Sequence, residues 1–66
     1  MKVTINGEER AVDDSVTLLA LVQQLGANPE RVAIELNRNI VARERWQNTV
    51  LQDGDHLEMV HFVGGG

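Results

Sequence analysis

Only one stretch of this sequence repeats apolar residues with the period of a helix long enough to lie across a sheet. Leu18, Leu21, Val22 and Leu25 fall at i, i+3, i+4 and i+7, so they form a single stripe. Thr17 stands at the N-cap position, where its oxygen can accept from an orphan N–H of the first turn, and Asp13 and Asp14 lie near the positive end of the helix dipole. Gly26 supplies the residue just past the C-terminal end. Most other apolar residues alternate instead. Val3 and Ile5 share one side of a strand over Lys2 to Asn6, and Asn6-Gly7 is the strongest short signal for a hairpin turn. Glu8 to Val12 returns as a strand with so few apolar residues that it belongs near an edge. Asn28-Pro29 reads as a loop, and Val32, Ile34 and Leu36 share one side of the next strand. Asn37-Arg38-Asn39 turns the chain into a short extended piece at Ile40-Val41, and Arg43 to Asn48 fits a single helical turn around Trp46. Asp53-Gly54-Asp55 is a tight turn before a last strand over Leu57 to Val63. One helix can cover only one face of a sheet. The expected fold is therefore an α+β roll, with one mixed sheet of four to five strands and one main helix across one face. The expected organisation is a folded domain over residues 1–63 and a flexible glycine tail over residues 64–66.

The chain of 66 residues has room for one core. A core of that size supplies about 3–5 kcal/mol, and little volume remains for a ligand pocket of roughly 300–1,000 Å³. Such a body works through its surface or its ends. The net charge of −4 argues against binding nucleic acid, which calls for a basic face. The absence of cysteine excludes disulfides, thiolate metal sites and thiol nucleophiles. The N-terminal residues lack the apolar run of a signal peptide, and no run approaches the ~18–20 apolar residues of a membrane span. The expectation is a cytoplasmic protein, monomeric when free, with neither nucleic acid nor membrane as partner.

Two features point to function. The last strand carries apolar residues at both parities: Leu57 and Met59 on one side, Val60 and Phe62 on the other with Glu58. If Leu57 and Met59 meet the helix, Val60 and Phe62 remain on the open face as a contact surface. The alternatives are a central strand covered on both faces, or a loop folded over Phe62. The second feature is Gly64-Gly65-Gly66, a terminus with no side chains to pack and the greatest backbone freedom. It can thread a channel too narrow for any Cβ and reach outward by roughly 3.3–3.6 Å per residue. What it presents is the carboxylate of Gly66; the alternative is a frayed terminus without function. A carboxylate is a poor electrophile until it is joined to a leaving group such as AMP. No glycine-rich phosphate loop is present, so the ATP must be held by a partner, and the chain itself binds no cofactor.

Other candidates carry less. His56 and His61 point to opposite faces and cannot chelate one metal together. Asp53 and Asp55 lack the further oxygen ligands of a calcium loop. Trp46 beside Arg43 and Arg45 suggests a stacking site for a nucleotide, but an isolated aromatic on a short turn more often caps the core. No catalytic triad has supporting spacing, so the chain is expected to be no enzyme.

The run Val32-Ala33-Ile34-Glu35-Leu36-Asn37, then Ile40-Val41, Arg43-x-x-Trp46, Asp53-Gly54-Asp55 and a strand ending in glycines resembles the ThiS family, the sulfur carriers of thiazole synthesis in bacterial thiamine production. The likeness covers essentially the whole chain, and the stretch from Ile34 to Trp46 is its most specific part. It implies the ubiquitin-like β-grasp fold. It also implies a cycle in which a ThiF-like adenylating enzyme uses ATP to activate Gly66. Sulfur drawn from cysteine by a desulfurase then replaces AMP to leave a thiocarboxylate, and a ThiG-like thiazole synthase receives the sulfur. Gly66 and Gly65 match the family's modified end, and Val60, Phe62, Val63 and Gly64 match its partner-binding surface. Two departures stand out: three terminal glycines in place of two, and Ala42 where the family often has Pro. Other readings are a carrier of another pathway (the small subunit of molybdopterin synthase, or tRNA thiolation) and a ubiquitin-like modifier or interaction module.

Overall fold

The computed structural model describes residues 1–62. Strand β1 (Lys2–Ile5) turns into β2 (Glu8–Ala11), helix α1 (Leu18–Gln24) follows, then β3 (Val32–Leu36), β4 (Asn39–Ile40) and β5 (His56–His61). They form one five-stranded sheet in the order β2-β1-β5-β3-β4. β1 pairs with β5 in parallel, and the β1–β2, β3–β4 and β3–β5 pairs are antiparallel. With α1 across one face, this is the β-grasp roll.

Each element has a local cause. Asn6 and Gly7 take φ of 50° and 84°, the left-handed pair that a two-residue hairpin requires. Asn37 and Arg38 repeat the device at 50° and 72° between β3 and β4, although Arg38 is not a residue that favours it. The Thr17 hydroxyl oxygen accepts from Ala20 N–H at 3.1 Å, capping α1. At the other end Gly26 has φ of 76°, Gly26 N–H donates to Gln23 O and Ala27 N–H to Val22 O, the paired bonds of a Schellman motif.

The core lies between α1 and the sheet. Val3 and Ile5 of β1, Leu18, Leu21 and Val22 of α1, Val32 and Ile34 of β3, Leu57 of β5, and the loop residues Val16, Trp46 and Leu51 are all buried. Trp46 sits on a 3₁₀ helix (Arg43–Asn48), is 1% exposed, and donates from Nε1 to Val41 O at 2.9 Å. Arg43 reaches from the same turn to Pro29 O at 2.7 Å, with its guanidinium carbon 5.6 Å from the Trp46 ring centroid. Trp46 thus caps the core and Arg43 ties it to the loop ahead of β3, so the pair forms no nucleotide-stacking site.

The departures from expectation are local. Asn28-Pro29 is more than a loop: the Asn28 side chain accepts from Glu30 N–H at 3.0 Å and caps a 3₁₀ turn over Pro29–Arg31. The extended piece after β3 is shifted by one residue, to Asn39–Ile40, because the turn at Asn37-Arg38 fixes Leu36 opposite Asn39. Asp13 and Asp14 lie outside the first turn of α1, and Asp14 instead meets the Met1 ammonium at 3.4 Å. β5 begins one residue early, at His56, and ends at His61, although Phe62 N–H still donates to Arg31 O at 2.8 Å. Among the described residues no helix is long and apolar enough to cross a membrane.

Candidate functional site: the open face of β5

Side chains alternate along β5, and the helix settles which parity is covered. Leu57 is 3% exposed and Met59 is partly buried against the core, whereas Val60 and Phe62 are 57% and 56% exposed. β5 is central in the sheet, but its second face has no layer over it among the described residues. The contact surface expected from the sequence is therefore open.

Register extends this face sideways. Val60 lies opposite Ala33, Glu58 opposite Glu35, and Glu35 opposite Ile40, so all of these share the side away from α1. Ile40, 77% exposed, is an apolar member that strand parity in β5 alone did not reveal. Glu35 and Glu58 set two carboxylates directly across one strand pair. Like charges there cost stability and keep that end of the face wet until something covers it. The face thus grades from an acidic end, where Asn37, Arg38 and His56 also line a shallow depression, to an apolar end at Val60 and Phe62. Apolar area of this kind is what a partner buries.

Two asparagines hold β5 in place, and both escape a reading of local sequence. Asn37 Oδ1 accepts from His56 N–H at 3.0 Å while its Nδ2 donates to Asp55 Oδ1 at 3.1 Å, fixing the start of the strand. Asn6 Oδ1 accepts from Met59 N–H at 2.7 Å and its Nδ2 donates to Met59 O at 3.2 Å, on the other flank. Asp53 accepts from Lys2 N–H at 2.8 Å and Asp55 from Gln52 N–H at 2.8 Å, so the Asp-Gly-Asp turn is occupied with chain geometry. His56 and His61 fall on opposite sides of β5 by parity, and no group of three metal-ligating side chains converges among the described residues. Of the site residues expected from the sequence, Val60 and Phe62 are brought together on the open face. Val63, Gly64, Gly65 and Gly66 lie outside the described residues.

Comparison with known proteins agrees with this architecture. The chain is 44% identical over 66 residues to a thiazole synthase of Magnetococcus marinus, matching along its whole length but spanning only 20% of that relative. Over 63 residues it is 35% identical to the sulfur carrier protein ThiS of Bacillus subtilis, covering 94% of this chain and 96% of the relative. The crystal structure of the thiamine biosynthesis protein ThiS from Geobacter metallireducens superposes with a TM-score of 0.85 at 38% identity, each chain covered in full. The family model for ThiS matches residues 3–66, and on that match and these relatives the chain belongs to the ThiS family.

Proposed function

We propose that the protein is a sulfur carrier for thiazole formation in thiamine biosynthesis, and that its working group is the carboxylate of Gly66. The observation that carries this reading is the apolar end of the open face, Val60 near the end of β5 and Phe62 just past it, shortly ahead of Gly64-Gly65-Gly66 in the sequence. A partner that docks on that patch has the terminal acid close to its own active site. A ThiF-like adenylating enzyme supplies ATP. The carboxylate oxygen attacks the α-phosphorus and pyrophosphate leaves, giving an acyl-adenylate whose carbonyl no longer bears a full negative charge. The desulfurase takes sulfur from cysteine as a persulfide, whose outer sulfur displaces AMP to give an acyl disulfide. A thiol reductant then cleaves the S–S bond, leaving the thiocarboxylate and a disulfide. The chain is a substrate of these enzymes and supplies no catalytic group; it acts as a monomer in the cytoplasm.

The receiving partner in this scheme is a ThiG-like thiazole synthase. A relative that bears that name contains a segment like this entire chain, which supports the pairing. The test is intact mass after incubation with the adenylating enzyme, ATP, desulfurase and cysteine. The expected product has one oxygen of Gly66 replaced by sulfur. Unchanged mass with every component proven active overturns the reading, and conjugates to lysine amines in its place identify a modifier.

A further inference from the structure

β1 leaves β5 early. After Ile5, paired with Leu57, the chain turns away through Asn6 and Gly7, yet β5 continues to His61. On its other flank β3 follows it to the end, with Val32 opposite His61 and Phe62 N–H donating to Arg31 O. The flank abandoned by β1 is where β5 would fray.

Asn6 replaces the missing strand. In a parallel ladder a residue at this place donates its N–H to Leu57 O and accepts from Met59 N–H through its own carbonyl. Asn6 makes the first bond with its main chain, at 2.9 Å. The turn diverts its main-chain carbonyl, and the side chain makes the second bond: Oδ1 accepts from Met59 N–H at 2.7 Å. Nδ2 then donates to Met59 O at 3.2 Å, the bond a continuing strand would make next. A carboxamide carries the same donor–acceptor pair as a peptide unit. Its orientation here is determined, because the flipped amide would set donor against donor and acceptor against acceptor. Both main-chain polar groups of Met59 on that flank are thereby satisfied by one side chain 53 residues away in sequence.

We infer that Asn6 is a positioning residue for the carrier reaction: its side-chain amide fixes β5 at Met59, and so the placement of Val60 and Phe62 for the adenylating enzyme. This rests on the function proposed above. Val60 follows the clamp by one residue and Phe62 by three. Without it, β5 beyond Leu57 is held on one flank only and opens locally. A partner must then re-order the strand as it docks, which weakens binding and leaves the bound state, and the chemistry within it, unaltered.

Two variants separate this role from a merely structural one. Asn6→Gly keeps the left-handed φ of 50° and loses both side-chain bonds. Asn6→Asp also tolerates that backbone, keeps the acceptor, and turns a carboxylate oxygen toward Met59 O. Amide hydrogen exchange in the free protein is expected to accelerate at Met59 and further along at Phe62 in Asn6→Gly, and less at Met59 in Asn6→Asp, which keeps the acceptor of that N–H. In steady-state adenylation KM for the carrier should rise about tenfold in Asn6→Gly, as expected when a preorganising bond pair is lost. The rise should be smaller in Asn6→Asp, and kcat at saturation should match wild type in both. Unchanged exchange at Met59 overturns the clamp. Faster exchange with unchanged KM, or a fall in kcat alone, overturns the positioning role. If exchange responds as stated but the wild-type chain is never adenylated, the carrier reading fails and the positioning role with it, while the clamp stands.

Discussion

Truncating Phe62 to alanine should separate docking from folding, and the two magnitudes follow from its exposure. A fully buried Phe removes about 200 Å² from water, and at 56% exposure about 110 Å² of it is still available to a partner. At ~25 cal/mol per Å² that area is worth almost 3 kcal/mol, or about a hundredfold in affinity. The covered remainder sets an upper bound of ~2 kcal/mol on the loss of stability, and residual compactness of the unfolded chain lowers it toward about 1 kcal/mol. For a domain this small, 1 kcal/mol lowers Tm by about 4–8 °C. The measurements are calorimetric titration against the adenylating enzyme and thermal unfolding by circular dichroism. Leu57→Ala is the mirror control. It lies on the covered face at 3% exposure, and its loss should cost about 2–5 kcal/mol against a total stability of roughly 3–10 kcal/mol for 66 residues. An affinity for Phe62→Ala within about threefold of wild type would refute the docking argument, and destabilisation as severe as that of Leu57→Ala would place Phe62 in the core.

Further outcomes follow from the same geometry. Removing Gly65 and Gly66 leaves the terminal acid on Gly64, about 7 Å short of the reach it has on Gly66, so neither adenylate nor thiocarboxylate should form by mass spectrometry. Among the described residues the fully buried core ends at Leu57, so Tm should be unchanged, and a lower Tm would show that the tail contributes to folding. Glu58→Lys converts the cross-strand repulsion with Glu35 into attraction and should stabilise by about 0.2–1 kcal/mol in urea unfolding, a gain that shrinks with added salt. A gain of the same size at high salt would show that charge is not its cause.

What was legible in the sequence were the features whose causes are local. Asn6-Gly7 specified its turn, Thr17 and Gly26 bounded α1, and the parity of Leu57 against Val60 told covered face from open face. Asn28-Pro29-Glu30 also holds a readable signal for its 3₁₀ turn, a capping Asn before Pro at the first helical position. The turn after Leu36 is legible, but Asn39 belongs to the strand and not to the turn, because Arg38 gives no hint of its left-handed backbone. The clamps were beyond reach. Asn6 meets Met59 across 53 residues and Asn37 meets His56 across 19, and an asparagine in a turn is already explained by the turn itself. Ile40 joined the open face only through the register of β4 on β3, which no property of β5 discloses.

The order β2-β1-β5-β3-β4 has one more consequence. The N-terminal hairpin and the β3–β4 hairpin share no rung; within the sheet β5 alone joins them. The seam that holds the two halves together also carries Val60, so the open apolar face cannot form while the halves are apart. An unfolded copy keeps every glycine and the same terminal acid, yet under the proposed function it gives an activating enzyme nothing to grip. On that proposal, readiness for sulfur loading is a report on the integrity of the whole fold.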